Sequence, residues 1–381
     1  MVASTAVGLF APIASQASEA INLGDMNSYG RKDSKSQRFD SKTFINEVSE
    51  ELATLKGRVD GLQAQQNNFE AGSFSDTTTL DGKAVFTIGS FDTDDGANDD
   101  DLDDDLYGKI QGMYSYTMNL NTSFTGDDNL YVRLKSGDGW DGAFDQKPGT
   151  YHIEAKDNGD LFKVDKMWYT FPIGEKFTAT VGPLIENYYM LAATPSVYKP
   201  GALKAFKLGG HSSAFGASTS TGFGLKYVGD NGFAASTTVN SKKADAAGGF
   251  LTKQDQNKIN TQVAYTADNY HLSATYSRQQ GWNSWSYYST KDLSTNADAL
   301  TSDSDSIALR AWWRPEETGT ATPSISVGYD TISFSGRTDV TEGSGYFVGL
   351  NWANMFQPDD RIGVALGQPM KATKAATGAT L

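Results

Sequence analysis

The stretch from Tyr107 to Ser136 reads YGKIQGMYSYTMNLNTSFTGDDNLYVRLKS, and the fold turns on how it is read. From Ile110 to Leu120 the even positions are Ile110, Gly112, Tyr114, Tyr116, Met118 and Leu120, while Lys109, Gln111, Ser115, Thr117 and Asn119 fill most of the odd ones. After the turn signal Thr125-Gly126-Asp127-Asp128 the alternation resumes. Leu130, Val132 and Leu134 then share one face, and Asn129, Tyr131, Arg133 and Lys135 the other. A strict period of two with one apolar, aromatic face and one polar, charged face specifies an antiparallel hairpin. It leaves two settings open: a soluble sheet, or a transmembrane β-barrel whose apolar face meets lipid while its polar face lines a wet interior.

The same pattern repeats on both sides of this hairpin. A strand is expected at about Thr79 to Ser90, another on Met167, Tyr169 and Phe171, and a turn through Ile173-Gly174-Glu175-Lys176 leads into Phe177, Ala179 and Val181. Further hairpins turn at Gly229-Asp230-Asn231-Gly232, at Ala267-Asp268-Asn269, after Pro315, and at Gln357-Pro358-Asp359-Asp360. The intervening segments 91–106, 137–163, 183–220, 241–256 and 279–303 are long and polar, so short and long connections alternate. Outer-membrane barrels are built this way, with short periplasmic turns and long outer loops. The expected fold is therefore all-β, an antiparallel transmembrane β-barrel over residues 77–367. Thirteen strands are visible, the last from Arg361 to Gly367, and the tail 368–381 supplies no further one. An odd, unclosed sheet would leave backbone groups unpaired in lipid. The expectation is a barrel cut short at its C-terminus, or one closed with help from a loop strand such as Ala202 to Gly209.

Composition agrees with this setting. Only 38% of residues are hydrophobic and mean hydropathy is −0.45, yet aromatics reach 12%, with 18 Tyr and 20 Phe. Half of every barrel strand faces water, and the aromatics gather at the two lipid interfaces. No apolar run approaches the length of a membrane helix. A formal net charge of −14 without a basic cluster argues against a nucleic-acid partner. The absence of cysteine excludes disulfides and thiolate metal sites.

The N-terminal part is organised differently. Residues 1–17 are apolar and end in Ser15-Gln16-Ala17, a signal-like segment, although no Lys or Arg precedes Arg31 to form a basic n-region. Either the recorded start lies downstream of the true one, or this is an ordinary apolar N-terminus. Residues 18–41 read as a polar linker. Within 42–71, Ile45, Val48, Leu52, Leu55, Val59, Leu62, Gln66 and Phe69 recur at spacings of three and four, a heptad seam that argues for a coiled-coil helix. One amphipathic helix packed on a domain is the other reading. Gly57 and Gly61 each cost that helix about 1 kcal/mol relative to Ala.

Several segments together resemble the cyanobacterial outer-membrane porins, which are similar to the OprB-like carbohydrate-selective porins. They are Leu120 to Gly126 with Leu130 to Lys135, Asp165 to Pro172, Leu55 to Leu62, and Trp352 through Phe356 to Pro369. The resemblance implies a homotrimeric porin of sixteen strands, set in outer-membrane lipid and lipopolysaccharide with the helix in the periplasm. It also implies passage of small solutes and inorganic ions including iron, with carbohydrates as a further class. Two features depart from the family. No SLH domain lies between Asp25 and the coiled coil, so attachment to peptidoglycan is not carried over, and the family's closing strands beyond Pro369 are missing.

No catalytic constellation is present. His152, His211 and His271 are scattered, and no HExxH, GxSxG or phosphate-binding loop occurs, so neither an enzyme nor a cofactor is expected. Segment 92–105, DTDDGANDDDLDDD, carries nine aspartates on the expected first outer loop. It reads as a self-repelling solvated loop, or as a mouth where Asp99, Asp100, Asp101, Asp103, Asp104 and Asp105 gather cations. By parity Lys83, Lys109, Arg133, Lys135, Lys166, Lys226, Arg310 and Arg314 face the interior. Arg133, Lys135, Lys166 and Arg310 are the candidates for its narrowest part. Segment 183–220, with the apolar run Asn187-Tyr188-Tyr189-Met190-Leu191, is the candidate for an inward-folded constricting loop. The expected function is a passive diffusion porin. The alternative is a structural outer-membrane tether acting through the coiled coil.

Overall fold

A computed structural model of the chain describes residues 56, 59, 77–90, 110–138, 158–199, 206, 209, 219–282, 289–290 and 302–378. Thirteen strands form one sheet among them: β1 (Thr78–Gly89), β2 (Gln111–Thr122), β3 (Asn129–Gly137), β4 (Lys163–Ile173), β5 (Phe177–Glu186), β6 (Thr219–Val228), β7 (Phe233–Ser241), β8 (Asn257–Thr266), β9 (Tyr270–Gln280), β10 (Asp303–Trp313), β11 (Ser324–Ser335), β12 (Val340–Ala353) and β13 (Arg361–Ala375). Every pairing is antiparallel and joins chain neighbours, so the sheet order is the chain order.

The faces are inverted relative to a soluble protein. On one face of β8 to β11, Lys258, Gln262, His271, Ser277, Gln279, Ser304, Ser306, Ser326 and Asp330 are all fully buried. Alternating with them, Ile259, Val263, Leu272, Ile307, Leu309 and Val327 are each 40–55% exposed. Water would expel such an outer face, whereas hydrocarbon accepts it, and the polar groups are sheltered inside. The architecture is the β-barrel wall that the alternation predicts. At the short-turn end its outward residues are aromatic: Phe177 meets Tyr227 at 5.1 Å, Tyr227 meets Phe233 at 6.2 Å, and Tyr265 meets Tyr270 at 6.1 Å. Such a girdle marks a membrane–water boundary.

Two details differ from the sequence reading. Strand β13 runs on to Ala375, eight residues past Gly367, through register shifts against β12 between Ser344 and Tyr346 and around Glu342. These irregularities swap the faces, so that Leu366 points outward while Met370 and Ala372 join Ile332, Phe334 and Val340 in a small apolar cluster inside. The edge of β13 at Met370 is met by the β9–β10 connection, where Thr290 N donates to Met370 O at 2.9 Å. The β11–β12 connection, 336–339, is also short although it lies on the long-loop side. Arg337 crosses it, donating to Asp339 at 2.8 Å and covering the Phe334 ring at 4.6 Å. The coiled-coil segment lies outside the described residues except for Lys56 and Val59, both helical, and the first outer loop with its aspartates lies outside them entirely. So does Ala202 to Gly209, apart from Phe206 and Gly209.

Two of the short turns are each built on a single carboxylate. Asp128 Oδ1 accepts from Ser123 Oγ (2.8 Å), Phe124 N (2.9 Å), Thr125 N (2.8 Å) and Thr125 Oγ1 (2.9 Å), while Oδ2 accepts from Tyr169 OH across β4 (2.6 Å). The SFTGDD sequence is thus a loop wrapped around one anion. Asp360 does the same for the β12–β13 turn, accepting from Met355 N (2.7 Å) and Phe356 N (2.8 Å). The Tyr169 hydroxyl, aided by the Thr125 amide and the Ser123 and Thr125 hydroxyls, holds the Asp128 carboxyl well below the usual carboxylate range. A depressed folded value stabilises the turn fully above the unfolded value of about 4, and the contribution is lost as pH falls through the folded one. Thermal unfolding of Asp128→Asn should therefore occur at a lower temperature than wild type at pH 7, and the gap should close on acidification below about pH 4. A gap independent of pH would show that the carboxylate is not what holds the turn.

Candidate functional site

The interior is crossed by one segment. β5 ends at Glu186, a single 3-10 turn covers Asn187–Met190, and the chain then runs through a series of bends to Lys199. It touches successive strands of the opposite wall. Ala192 N donates to Ser236 Oγ of β7 at 3.1 Å, and Gln262 of β8 bonds both Ala193 N (3.0 Å) and Ala193 O (3.1 Å). Trp312 Nε1 of β10 donates to Thr194 O at 3.0 Å. Val197 N and Tyr198 N both donate to Ser326 Oγ of β11, at 3.1 and 3.2 Å. Each anchor is an inward residue of the alternating pattern, and they stand in two pairs across the ladder, Ser236 with Gln262 and Trp312 with Ser326.

Glycine makes room for the end of this segment. A Cβ on Gly349 would stand 2.7 Å from the Tyr198 ring, and one on Gly367 would stand 2.8 Å from the Phe206 ring. Phe206 in turn stacks on Phe347 at 5.7 Å with the rings 12° apart. Segment 183–220 therefore does fold inward over its described part. The run Asn187 to Leu191 signals it because apolar side chains on a supposed outer loop need a wall to pack against. Tyr188 and Leu191 pack against the fully buried Ala308.

The start of the segment is held by aromatic rings and charge. Tyr131 and Trp168 lie 4.5 Å apart, Trp168 and Tyr189 5.2 Å, and Tyr188 and Tyr189 4.6 Å. Lys166 is buried beneath them in an ion pair with Glu186, its Nζ 5.4 Å from the Tyr189 ring centre. Arg133 pairs with Asp165, the Nε to Oδ2 distance being 2.7 Å, and reaches the Tyr189 hydroxyl at 3.3 Å. Arg310 bonds both Asp330 oxygens at 2.7 and 2.8 Å with both side chains fully buried. Three of the four cations expected at the narrowest part are thus neutralised in place. The partners Asp165, Glu186 and Asp330 escape sequence reasoning. Asp330 alternates inward like its neighbours and was legible in principle, whereas Asp165 and Glu186 sit where strand register breaks.

The remaining candidates are dispersed. Lys135 is buried on β3, 7% exposed, and Lys83 is exposed on β1 opposite Thr117. Arg314 lies past the end of β10 at the short-turn rim, where its Nε donates to Asp268 O at 3.0 Å. Lys109 lies outside the described residues. Lys226 lines an open hollow of about 280 Å³ beside the crossing segment, together with Asn121, Asn129, Tyr131, Thr178 and Tyr189. No carboxylate among the described residues pairs with it. His271 is a wall residue: it stacks on Trp312 at 5.4 Å and hydrogen-bonds Thr266 Oγ1 (2.7 Å) and Ser273 Oγ (2.9 Å). Among the described residues no group of three or more acidic, His or Cys side chains is placed to hold a metal.

No family model matches the sequence. Over 140 residues the chain is 36% identical to "Uncharacterized protein alr4550" of Nostoc sp., covering 34% of this chain and 23% of that protein. Over 158 residues it is 27% identical to "Uncharacterized protein sll0772" of Synechocystis sp., covering 40% and 27%. The chain spans about a quarter of the length of these curated relatives. Among solved structures, OmpT of Vibrio cholerae, an outer membrane protein in its trimer form, overlays 78% of this chain and 95% of its own at 13% identity and a TM-score of 0.39. The outer membrane channel DcaP of Acinetobacter baumannii overlays 78% and 99% at 11% identity and 0.34.

The anchoring of the crossing segment leads to two expected outcomes. Asp330→Asn leaves a guanidinium buried without its counter-charge and should cost the wall about 3–5 kcal/mol, read as a lowered midpoint of denaturant unfolding from vesicles. Gly349→Val should push Tyr198 off β12 and release the far end of the segment. Protease cleavage between Thr194 and Lys199 should then become faster in folded protein, and unchanged cleavage would show that Tyr198 is not the anchor.

Proposed function

We propose that this chain forms an outer-membrane porin, a water-filled channel for passive diffusion of small hydrophilic solutes. The observation that carries the reading is the crossing segment: a polar interior enclosed by an apolar exterior is narrowed by a loop pinned to β7, β8, β10 and β11. A wall that only had to anchor a helix would not need a polar lumen, and the carbonyls and hydroxyls that line this one offer the hydration a moving ion leaves behind. Inorganic ions, iron among them, are the solute class we favour, with carbohydrates as a further one, and the working unit is a homotrimer.

In the selectivity of this channel, charges already paired count for little, because an ion pair presents a dipole rather than a net charge to the lumen. Arg133, Lys166 and Arg310 are therefore structural, and Lys226 is the cation that a passing ion meets. The aspartates from Asp99 to Asp105 act at the mouth, where a cluster of one sign raises the local counter-ion concentration.

Planar-bilayer conductance under a salt gradient tests the reading. Steps of equal size in threes are expected, and absence of conductance from inserted protein would overturn the porin. Lys226→Gln should move the zero-current potential toward cation selectivity; no movement would remove Lys226 from the permeation path. Replacing Asp99, Asp100, Asp101, Asp103, Asp104 and Asp105 with Asn should lower conductance in dilute salt and leave it unchanged in concentrated salt, where screening is complete.

A further inference from the structure

The outer face of β7 to β11 carries a hollow of about 630 Å³. Its cause lies in the register. Ala274 stands between Val263 and Leu309, and Ala311 stands between Leu272 and Val327, so two small residues lie diagonally on a face otherwise made of large ones. Phe233, Tyr265 and Tyr329 stand around the hollow as rings. No ionised group reaches it from outside, because Arg310 beneath it turns its guanidinium inward to Asp330.

Its position along the strands selects the occupant. Leu272 and Ala274 are two and four residues from Tyr270, the first residue of β9, and Ala311 is two residues from Trp313, the last of β10. At about 3.3 Å per residue the hollow begins about 7 Å from the short-turn end and reaches about 13 Å, which is the inner half of one leaflet of a hydrocarbon core about 30 Å thick. The girdle residues Tyr265, Tyr270 and Trp313 stand at its polar end, where a headgroup would sit. An uncharged, apolar hollow at membrane depth, with aromatic rings at its polar end, offers an alkyl chain a place to lie. A second copy of this protein would need about 800 Å² of matching surface on each side. Large apolar side chains more exposed than those around the hollow stand elsewhere, Phe86, Ile88 and Ile110 at 79–82% on or beside β1 and β2 and Phe356 at 83% in the β12–β13 turn.

We propose that this hollow is a lipid site that seats one acyl chain of a phospholipid from the leaflet on the short-turn side. The proposal rests on the porin reading of the outer face as lipid-facing. The site is placed where it matters to the channel. On the inner side of the same wall a Cβ on Gly328 would come within 2.8 Å of Gly209 O, and one on Gly209 would come within 3.1 Å of Arg310 Nε. The strands carry Ala274, Ala311 and Gly328 there, with the Phe347 ring packed on the inner side of Gly328, and the seated chain backs the strands on which the crossing segment is docked.

Native mass spectrometry of the full chain, extracted from membranes and stripped stepwise of lipid, tests this. Wild type should retain one phospholipid per protomer through washes that remove the rest, and Ala311→Phe or Ala274→Phe, which fill the groove, should lose it. Retention of no lipid by wild type, or equal retention by the filled variants, would overturn the proposal. Should both filled variants fail to assemble, wild type in vesicles of phosphatidylcholine with brominated acyl chains gives a second readout. Trp313 emission, taken as the difference from Trp313→Phe, should be quenched at bromine positions along the upper chain, and no quenching overturns the site. Because the sequence has no cysteine, Ala311→Cys carries a unique thiol; disulfide-linked dimers formed in membranes would show that a second copy occupies the groove and overturn the lipid. Conductance of the same samples separates the two readings. Wild type that retains no lipid yet conducts sinks the groove alone, and wild type that does not conduct sinks the porin.

Discussion

Inside a hydrocarbon layer a backbone amide has no water to pair with, and each one left alone costs several kcal/mol. That constraint orders everything else in this chain. It explains why thirteen strands follow one another in a single antiparallel ladder without a crossover, since a meander pairs each strand with the nearest available partner. It explains why the turns at one end are compact, two of them closed on Asp128 and Asp360, which take up amides that the ladder leaves over. It also explains why the residues that would form a core in water face outward here, so that stability must come from ladder hydrogen bonds, polar networks and the lipid itself.

With the exterior assigned to lipid, the interior has to be organised by polar chemistry. Three cations are locked by three carboxylates, and the crossing segment is held by side-chain amides, hydroxyls and one indole N–H rather than by apolar packing alone. Such contacts are directional, so they place the segment at a defined height in the lumen. Each also depends on its neighbours. Ser326 can reach Val197 and Tyr198 because Trp312 beside it holds Thr194, and Tyr198 can lie against β12 because residue 349 is glycine. The neutralised pairs turn Arg133, Lys166 and Arg310 into fixed parts of the wall.

How much of this is legible in the chain can be judged residue by residue. Strand positions are, because a period of two with Tyr116, Met118 and Leu120 on one side and Ser115, Thr117 and Asn119 on the other survives any tertiary arrangement. So is the inward direction of Arg133, Lys166, Lys226 and Arg310. The continuation of β13 is not, because the bulge near Ser344 breaks the alternation at the point where Gln368, Pro369 and Lys371 look like a tail. The pairing of Arg133 with Asp165 and of Lys166 with Glu186 is not either. Ion pairs join residues 20 and 32 positions apart through irregular register, and no local pattern records which carboxylate will stand beside which cation.

The sequence by itself determined the all-β class, the alternation of faces, the order of short and long connections and the loop that turns inward. These follow from side-chain polarity and spacing, which are local properties. Tertiary structure alone decided which charges cancel, where the inward loop docks, and that Ala274 and Ala311 combine into a groove. Each of those depends on which residue of one strand is set beside which residue of the next, and a shift of one position in register would move every one of them to the other face.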